Sequence, residues 1–389
     1  MAARGRAQPR IAIRPAIEAI ARARSHALDR VRIRRTWKRA QTNANRGRSG
    51  NFEETAMKLK FLGALVAAGV FCGGSHAYAA GCGSVTIASM NWQSAELEAA
   101  VDKAILGDGY GCQVNTVIGD TVPTITSMVD KGKPDVVSEG AIALLPAIVQ
   151  RGIDEKKIVM GAKTIQEGAV YGWYIPKYVA DAHPDIKTIP DALKHPELFP
   201  DPENPGKGAI YNGPQGWGMT VNTAQLFKAY KAQQAGFRIV DTGSAAGLDG
   251  SLAKAYERKQ AWLGVYWSPT SLLGKYQMVK LDAGVPVDQA EWKRCTTVAS
   301  CPDPKPTGWP VGQLYTLIAK PFADKASPDV MKYLNTRSFK TADLQQIMLW
   351  MTANQATGED GAKRFLKEKQ DVWTKWVTPA AAEKVKASL

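Results

Sequence analysis

Between residues 84 and 165 the chain alternates short β-prone runs with helix-period segments, and that alternation restricts the fold more than any other feature. Val85-Thr86-Ile87-Ala88 reads as a strand. Ser94 is then expected to cap a helix with Glu96 in its first turn and Leu97, Val101, Ala104 and Ile105 on its apolar face. Gly107, Gly109 and Gly111 end that helix, and a second strand is expected near 113–118. A helix near 122–131, with Pro123 in its first turn, leads to a third strand at 135–138. A β-α-β-α-β order of this kind implies a parallel sheet with helices on both faces.

A second α/β unit is expected from about 169 to 308. It holds a strand at 170–175, helices at 217–234 and 252–259, and a strand at 262–267. A further strand at 314–319 and helices near 328–335, 342–354 and 360–376 have no sheet of their own. They are expected to pack back on the first unit. The result is a hinged pair of lobes, 80–168 with 310–389 and 169–309, whose chain crossings lie near 166–170 and 308–312. A ligand of such an architecture belongs in the cleft.

The net charge of +14 suggests nucleic acid only until it is located. Residues 1–56 hold 14 Arg/Lys and 4 Asp/Glu, whereas residues 80–389 are nearly balanced, with 34 basic and 32 acidic residues. No nucleic-acid partner is therefore expected for the body. From Met57 the chain reads as an export signal. Lys58 and Lys60 precede an apolar run, 61–71, and Ala77-Tyr78-Ala79 forms a small-x-small cleavage site. The run is shorter than the roughly 20 apolar residues that span a bilayer. Residues 1–56 are read as an extension upstream of the true start, and Cys72 after bulky Phe71 is not read as a lipidation site.

Beyond the signal four cysteines remain, which allow three pairings. Cys82 and Cys112 open neighbouring parallel strands, so their sulfurs can meet. Cys295 and Cys301 suit a local staple. Zinc is not expected, because there is no CxxC and the body has only His183 and His195. Catalytic signatures are absent: no GxSxG, no HExxH and no Walker lysine loop. No cofactor or metal is expected.

Three tryptophans stand in short connecting segments: Trp92 in SMNWQS, Trp217 in GPQGWG and Trp267 in VYWSP. Aromatics so placed suit a ligand, and stacked indole faces are the natural partner of a cation without N–H donors. Gly218 and Met219 open the helix after Trp217, where free N–H groups attract a carboxylate. Ser94, beside Trp92, and Glu139, at the carboxyl end of the third strand, complete the candidate contacts.

The segments VTIASMNWQSAELEAAV, KPDVVSEG, YGWYIPKYVAD, GPQGWGMTV and GVYWSPTSLLGKY resemble the substrate-binding proteins of ABC importers for glycine betaine, proline betaine and choline. The resemblance covers about 82–380. It implies an α/β, type II periplasmic-binding-protein fold, a periplasmic monomer with no enzymatic activity, and the permease subunits of an ABC importer as partner. It also implies a quaternary ammonium ligand, glycine betaine or a relative such as choline or carnitine, held in an aromatic box that includes Trp217 and Trp267. Trp92 matches the aromatic after the first strand. One departure stands out: where many members carry a tryptophan after the third strand, this chain has Glu139-Gly140-Ala141. A secreted enzyme with Glu139 as base is the rival expectation, and Tyr171 or Trp173 offers a further wall.

Overall fold

The computed structural model describes residues 82–389, so the expected extension, the export signal and Cys72 lie outside the described residues. Ten strands form two five-stranded sheets. In the first, β1 (Ser84–Met90), β2 (Gln113–Gly119), β3 (Val136–Ala141) and β4 (Ile158–Lys163) are joined by β10 (Leu314–Ala319) in the order β2-β1-β3-β10-β4. In the second, β5 (Val170–Pro176), β6 (Gly208–Asn212), β7 (Phe237–Asp241), β8 (Gly264–Ser268) and β9 (Met278–Lys280) run β7-β6-β8-β5-β9.

β1 pairs in parallel with β2 and β3, as the alternation requires. Neither sheet is wholly parallel, however. β10 runs antiparallel between β3 and β4, and β5 runs antiparallel between β8 and β9. Each exception is the first strand laid down after the chain crosses to that lobe, and it runs opposite to both of its neighbours in the sheet. The two crossings touch: Ala169 and Gly312 exchange backbone hydrogen bonds of 2.7 and 2.9 Å. Gly168, at φ +82°, turns the chain into this pair, and a Cβ there would lie 2.5 Å from the Gly312 carbonyl oxygen. Glycine is the residue that tolerates both demands.

Helices cover the sheets. The helix Gln93–Ala104 packs on β1 and β3 and against the helix Gly358–Glu368 near the end of the chain, so the last segment returns to the first lobe. Ser94 does not cap this helix. The cap position belongs to Trp92, in extended conformation, and Ser94 is the second helical residue. The expected single helix over 360–376 is two, Gly358–Glu368 and Gln370–Trp373, and a terminal helix, Pro379–Ser388, was not anticipated.

The structure joins Cys82 to Cys112 and Cys295 to Cys301. The first pair sits just before strands in register from Ser84 and Gln113, which brings the Cα atoms to 4.8 Å. It closes the longer loop, 30 residues against 6. Loop-closure entropy then predicts that C82S/C112S costs about 3–4 kcal/mol and C295S/C301S about 2 kcal/mol. Urea unfolding of the two double variants checks the ranking, and equal losses would contradict it.

Candidate functional site between the lobes

The carboxyl ends of β1 and β3 lie side by side, since Ile87 and Ala88 register with Val136 and Val137. Trp92, just past β1, therefore stands over Glu139 in β3, and its indole Nε1–H donates to Glu139 Oε1 at 2.9 Å. The preceding residue, Asn91, faces the other lobe. Its Oδ1 accepts the Trp217 indole N–H at 2.6 Å, and its amide donates to Asp120.

Trp217 occupies the cap position of the helix Gly218–Ala229. That helix is fixed from behind by Asn222 and Gln225, whose amides donate to backbone carbonyls of the Cys295–Cys301 segment, at Thr296 (3.1 Å) and Ala299 (3.0 Å). In front, the Gly216 carbonyl accepts the Val122 N–H of the first lobe at 3.0 Å. The Gly-Trp-Gly turn is thus a bridge between lobes. Trp267 is not in a loop. It is the fourth residue of β8, opposite Tyr171 of β5.

The three indoles converge. Trp217 lies edge-to-face with Trp92, centroids 5.8 Å apart at 87°, and with Trp267, 5.3 Å apart at 88°. Trp217 and Trp267 are only 2% and 8% exposed, although their place in connecting segments does not by itself predict burial: the rings pack against one another where the lobes meet. Around them lies a cavity of about 20 Å³. Its walls are Trp92, Thr121, Glu139, Ala141 and Leu144 from the first lobe, and Tyr171, Trp217, Met219 and Trp267 from the second. A space of this size admits about one water. Beside it, sharing Trp92 and Trp267, is a wider cleft of about 620 Å³ that Ser94 lines together with Asn91, Asp249 and Thr270.

Of the residues expected in the site, Trp92, Trp217, Trp267, Glu139 and Met219 meet at the small cavity and Ser94 at the neighbouring cleft. Gly218 does not line either: a Cβ on it would sit 3.0 Å from Leu144 Cβ, because the helix start abuts the first lobe. Tyr171 lines the cavity, whereas Trp173 is a fully buried core residue. Thr121 and Leu144 were missed, for neither residue type signals a ligand.

Behind Glu139 is a buried ionic network. Arg337, 0% exposed, lies 2.9 Å from Glu98 and 2.8 Å from Asp102, both also fully buried. Its guanidinium donates to the Ser138 carbonyl and the Thr316 hydroxyl, and the Tyr333 hydroxyl donates to Asp102. Burial raises the Glu139 carboxyl above its ordinary pKa against the opposing hydrogen bond from Trp92. Burial also raises Glu98 well above the usual carboxyl range, with the charge of Glu139 as second cause. Tyr171 is likewise pushed up, first by burial and then by Glu139. The cleft and cavity walls carry no Lys, Arg or His.

Residues 83–368 match the family described as the substrate binding domain of ABC-type glycine betaine transport systems. No curated protein sequence matches. Among solved structures, the chain is similar to an ABC-transporter choline binding protein in complex with choline, at 18% identity and a TM-score of 0.63, over 79% of this chain and 98% of that one. It is similar to the glycine betaine/L-proline-binding protein ProX from Borrelia burgdorferi, at 18% identity and a TM-score of 0.60, over 78% and 99%. A third is lactococcal OpuAC in its closed-liganded conformation with glycine betaine, at 20% identity and a TM-score of 0.57, over 76% and 99%. The shared fold is the two-lobe, type II periplasmic-binding-protein architecture, with two mixed sheets flanked by helices.

Proposed function

The chain belongs to the family of substrate-binding domains of ABC-type glycine betaine transport systems, and on that premise we propose that it captures a quaternary ammonium solute among Trp92, Trp217 and Trp267. The family is one of solute-binding components of importers, not of enzymes. The observation that carries the reading is the convergence of three indoles from both lobes on one cavity whose only carboxylic side chain is Glu139.

A trimethylammonium group donates no hydrogen bond and carries a diffuse charge. An indole face contributes about 0.5–2 kcal/mol to holding it, most when water is excluded. Three faces with a carboxyl group nearby approach the roughly −8 kcal/mol of a micromolar complex. The rings now touch edge to face around about 20 Å³, so a solute enters when they separate. The paired crossings at Ala169 and Gly312 are the hinge for that motion, and reclosure on the solute is the state offered to the permease. Among the described residues no helix is long and apolar enough to cross a membrane. Export through the 57–79 segment would place the chain in the periplasm, where it acts as a monomer.

Calorimetry with choline, glycine betaine, proline betaine and carnitine tests this. At least one is expected to bind with a micromolar dissociation constant. The same ligand, at a hundred times that concentration, is expected to stabilise the fold by about 2.7 kcal/mol. Absence of binding by all four would overturn the proposal.

A further inference from the structure

We propose, resting on the quaternary ammonium reading above, that Glu98 and Glu139 hold one proton between them in the free protein and that the bound cation takes that proton's place. Solute capture is then an exchange of a cation for a proton.

The argument begins with unsatisfied oxygens. Glu139 Oε1 accepts the Trp92 N–H and the Ser94 hydroxyl stands beside the same carboxyl, yet Oε2 is buried with no hydrogen bond formed. Glu98 Oε2 is held by Arg337, but Oε1 is buried without a donor. The two carboxyls are within hydrogen-bond reach of each other. Two acceptors in contact, both shut off from water, need a hydrogen between them. One proton satisfies both. Like-charged carboxylates sharing a site behave in this way, and the proton belongs to the pair and not to either residue.

Charge leads to the same answer. Around Glu139 stand Trp92, just past β1, Ser94 and Glu98 from the helix Gln93–Ala104, and Tyr171 from β5, while Asp102 of that helix faces Arg337. Tyr333 and Arg337 close the cluster from the helix Pro328–Leu334 and the turn after it. Three carboxyls therefore face a single permanent cation, the Arg337 guanidinium, with none on the cavity or cleft walls. With one shared proton the cluster carries a net charge of about −1, and an unpaired buried charge beyond that is costly. When a quaternary ammonium ion enters beside Glu139, it supplies one positive charge. The O–H bond then breaks, the proton leaves to solvent, and both carboxyls are ionised with the net charge unchanged. Burial, which raises both carboxyls, keeps the proton in place until then.

The sign of the pH effect follows. At low pH the cation competes with the shared proton and binds weakly. As pH rises through the titration of the pair, affinity grows by up to about tenfold per pH unit and then levels off.

The test is calorimetric titration of the protein with choline and with tetramethylammonium, from pH 5 to 8, in phosphate and in Tris. The difference in observed heat between buffers gives the protons released. The expected result is release approaching one proton per cation below the titration of the pair, with affinity rising as described. Glu139→Gln and, independently, Glu98→Gln are expected to bind without proton release and with a flat pH profile. Binding by the unaltered protein with no proton release and no pH dependence would overturn the exchange alone. Failure of every quaternary ammonium ion to bind at any pH would overturn the solute reading and the exchange with it.

Discussion

Trp217→Ala is expected to weaken quaternary ammonium binding by at least about a hundredfold, equivalent to about 2.7 kcal/mol, the largest loss of any single change in the cavity. Trp217 is the middle ring of the three, in contact with both others. Its removal deletes one face of up to about 2 kcal/mol and releases the edge contacts that orient the remaining two. The ring is also a bridge, bonded through its N–H to Asn91 of the other lobe, so its loss loosens the closed state. Because it is 2% exposed, truncation is further expected to lower stability by about 3–5 kcal/mol. Trp217→Phe separates the effects. It keeps an aromatic face and most of the packing but lacks the N–H, and is expected to bind about tenfold more weakly with a smaller stability loss. Calorimetry and urea unfolding of both variants check this. Unchanged affinity in the alanine variant would show that Trp217 is a staple between lobes and not a wall of the site.

Arg337→Met is expected to give the largest stability loss in the first lobe, about 3–5 kcal/mol near neutral pH. The substitution keeps apolar bulk but removes the base that faces Glu98 and Asp102 and the donors to Ser138 and Thr316. The pH dependence has a definite sign. Glu98 already has a folded-state pKa raised well above 4.5 by burial, and loss of the guanidinium raises it further. A carboxyl with a raised folded pKa retains its stability below the unfolded value and loses it as pH rises through the folded one. The deficit of the variant is therefore constant while both proteins still hold the Glu98 proton, and grows with pH once the unaltered protein has released it. Chemical denaturation across a pH series measures it, and a deficit that shrinks as pH rises would contradict the assignment of Glu98 as the stranded group.

Much of the first lobe was legible because its strands and helices keep their periods over enough residues. β1 to β3 and the helices between them follow from apolar spacing in SVTIASM and in the Leu97, Val101, Ala104 and Ile105 stripe. β6, β7 and β4 were not read as strands. GAIYN and FRIVD are five residues long, and IVMGAK carries glycine and lysine, so none shows a sustained alternation. These runs become strands through pairing with neighbours distant in the chain, which propensity does not report. The entry strands at 170–175 and 314–319 were read, but their antiparallel direction was not, because direction is set by partners distant in the chain.

The site was partly legible. Residue type and position pointed to Trp92, Trp217, Trp267 and Glu139. Their mutual contact was not visible, since Trp217 bonds to Asn91 across 126 residues. The network behind Glu139 was missed altogether. Glu98 and Asp102 look like the polar face of a surface helix, and their partner Arg337 lies 239 residues beyond Glu98. Their i, i+4 spacing beside Leu97 and Val101 was the available signal, because it sets two acids next to a core stripe.

The most direct test is a crystal structure of the protein with choline or glycine betaine bound. The expected result is the ammonium group enclosed by the Trp92, Trp217 and Trp267 rings, which have moved apart to admit it, with Glu139 on the remaining side. A ligand seated in the wider cleft along Asp249 and Thr270, with the three indoles still packed against one another, would contradict the account.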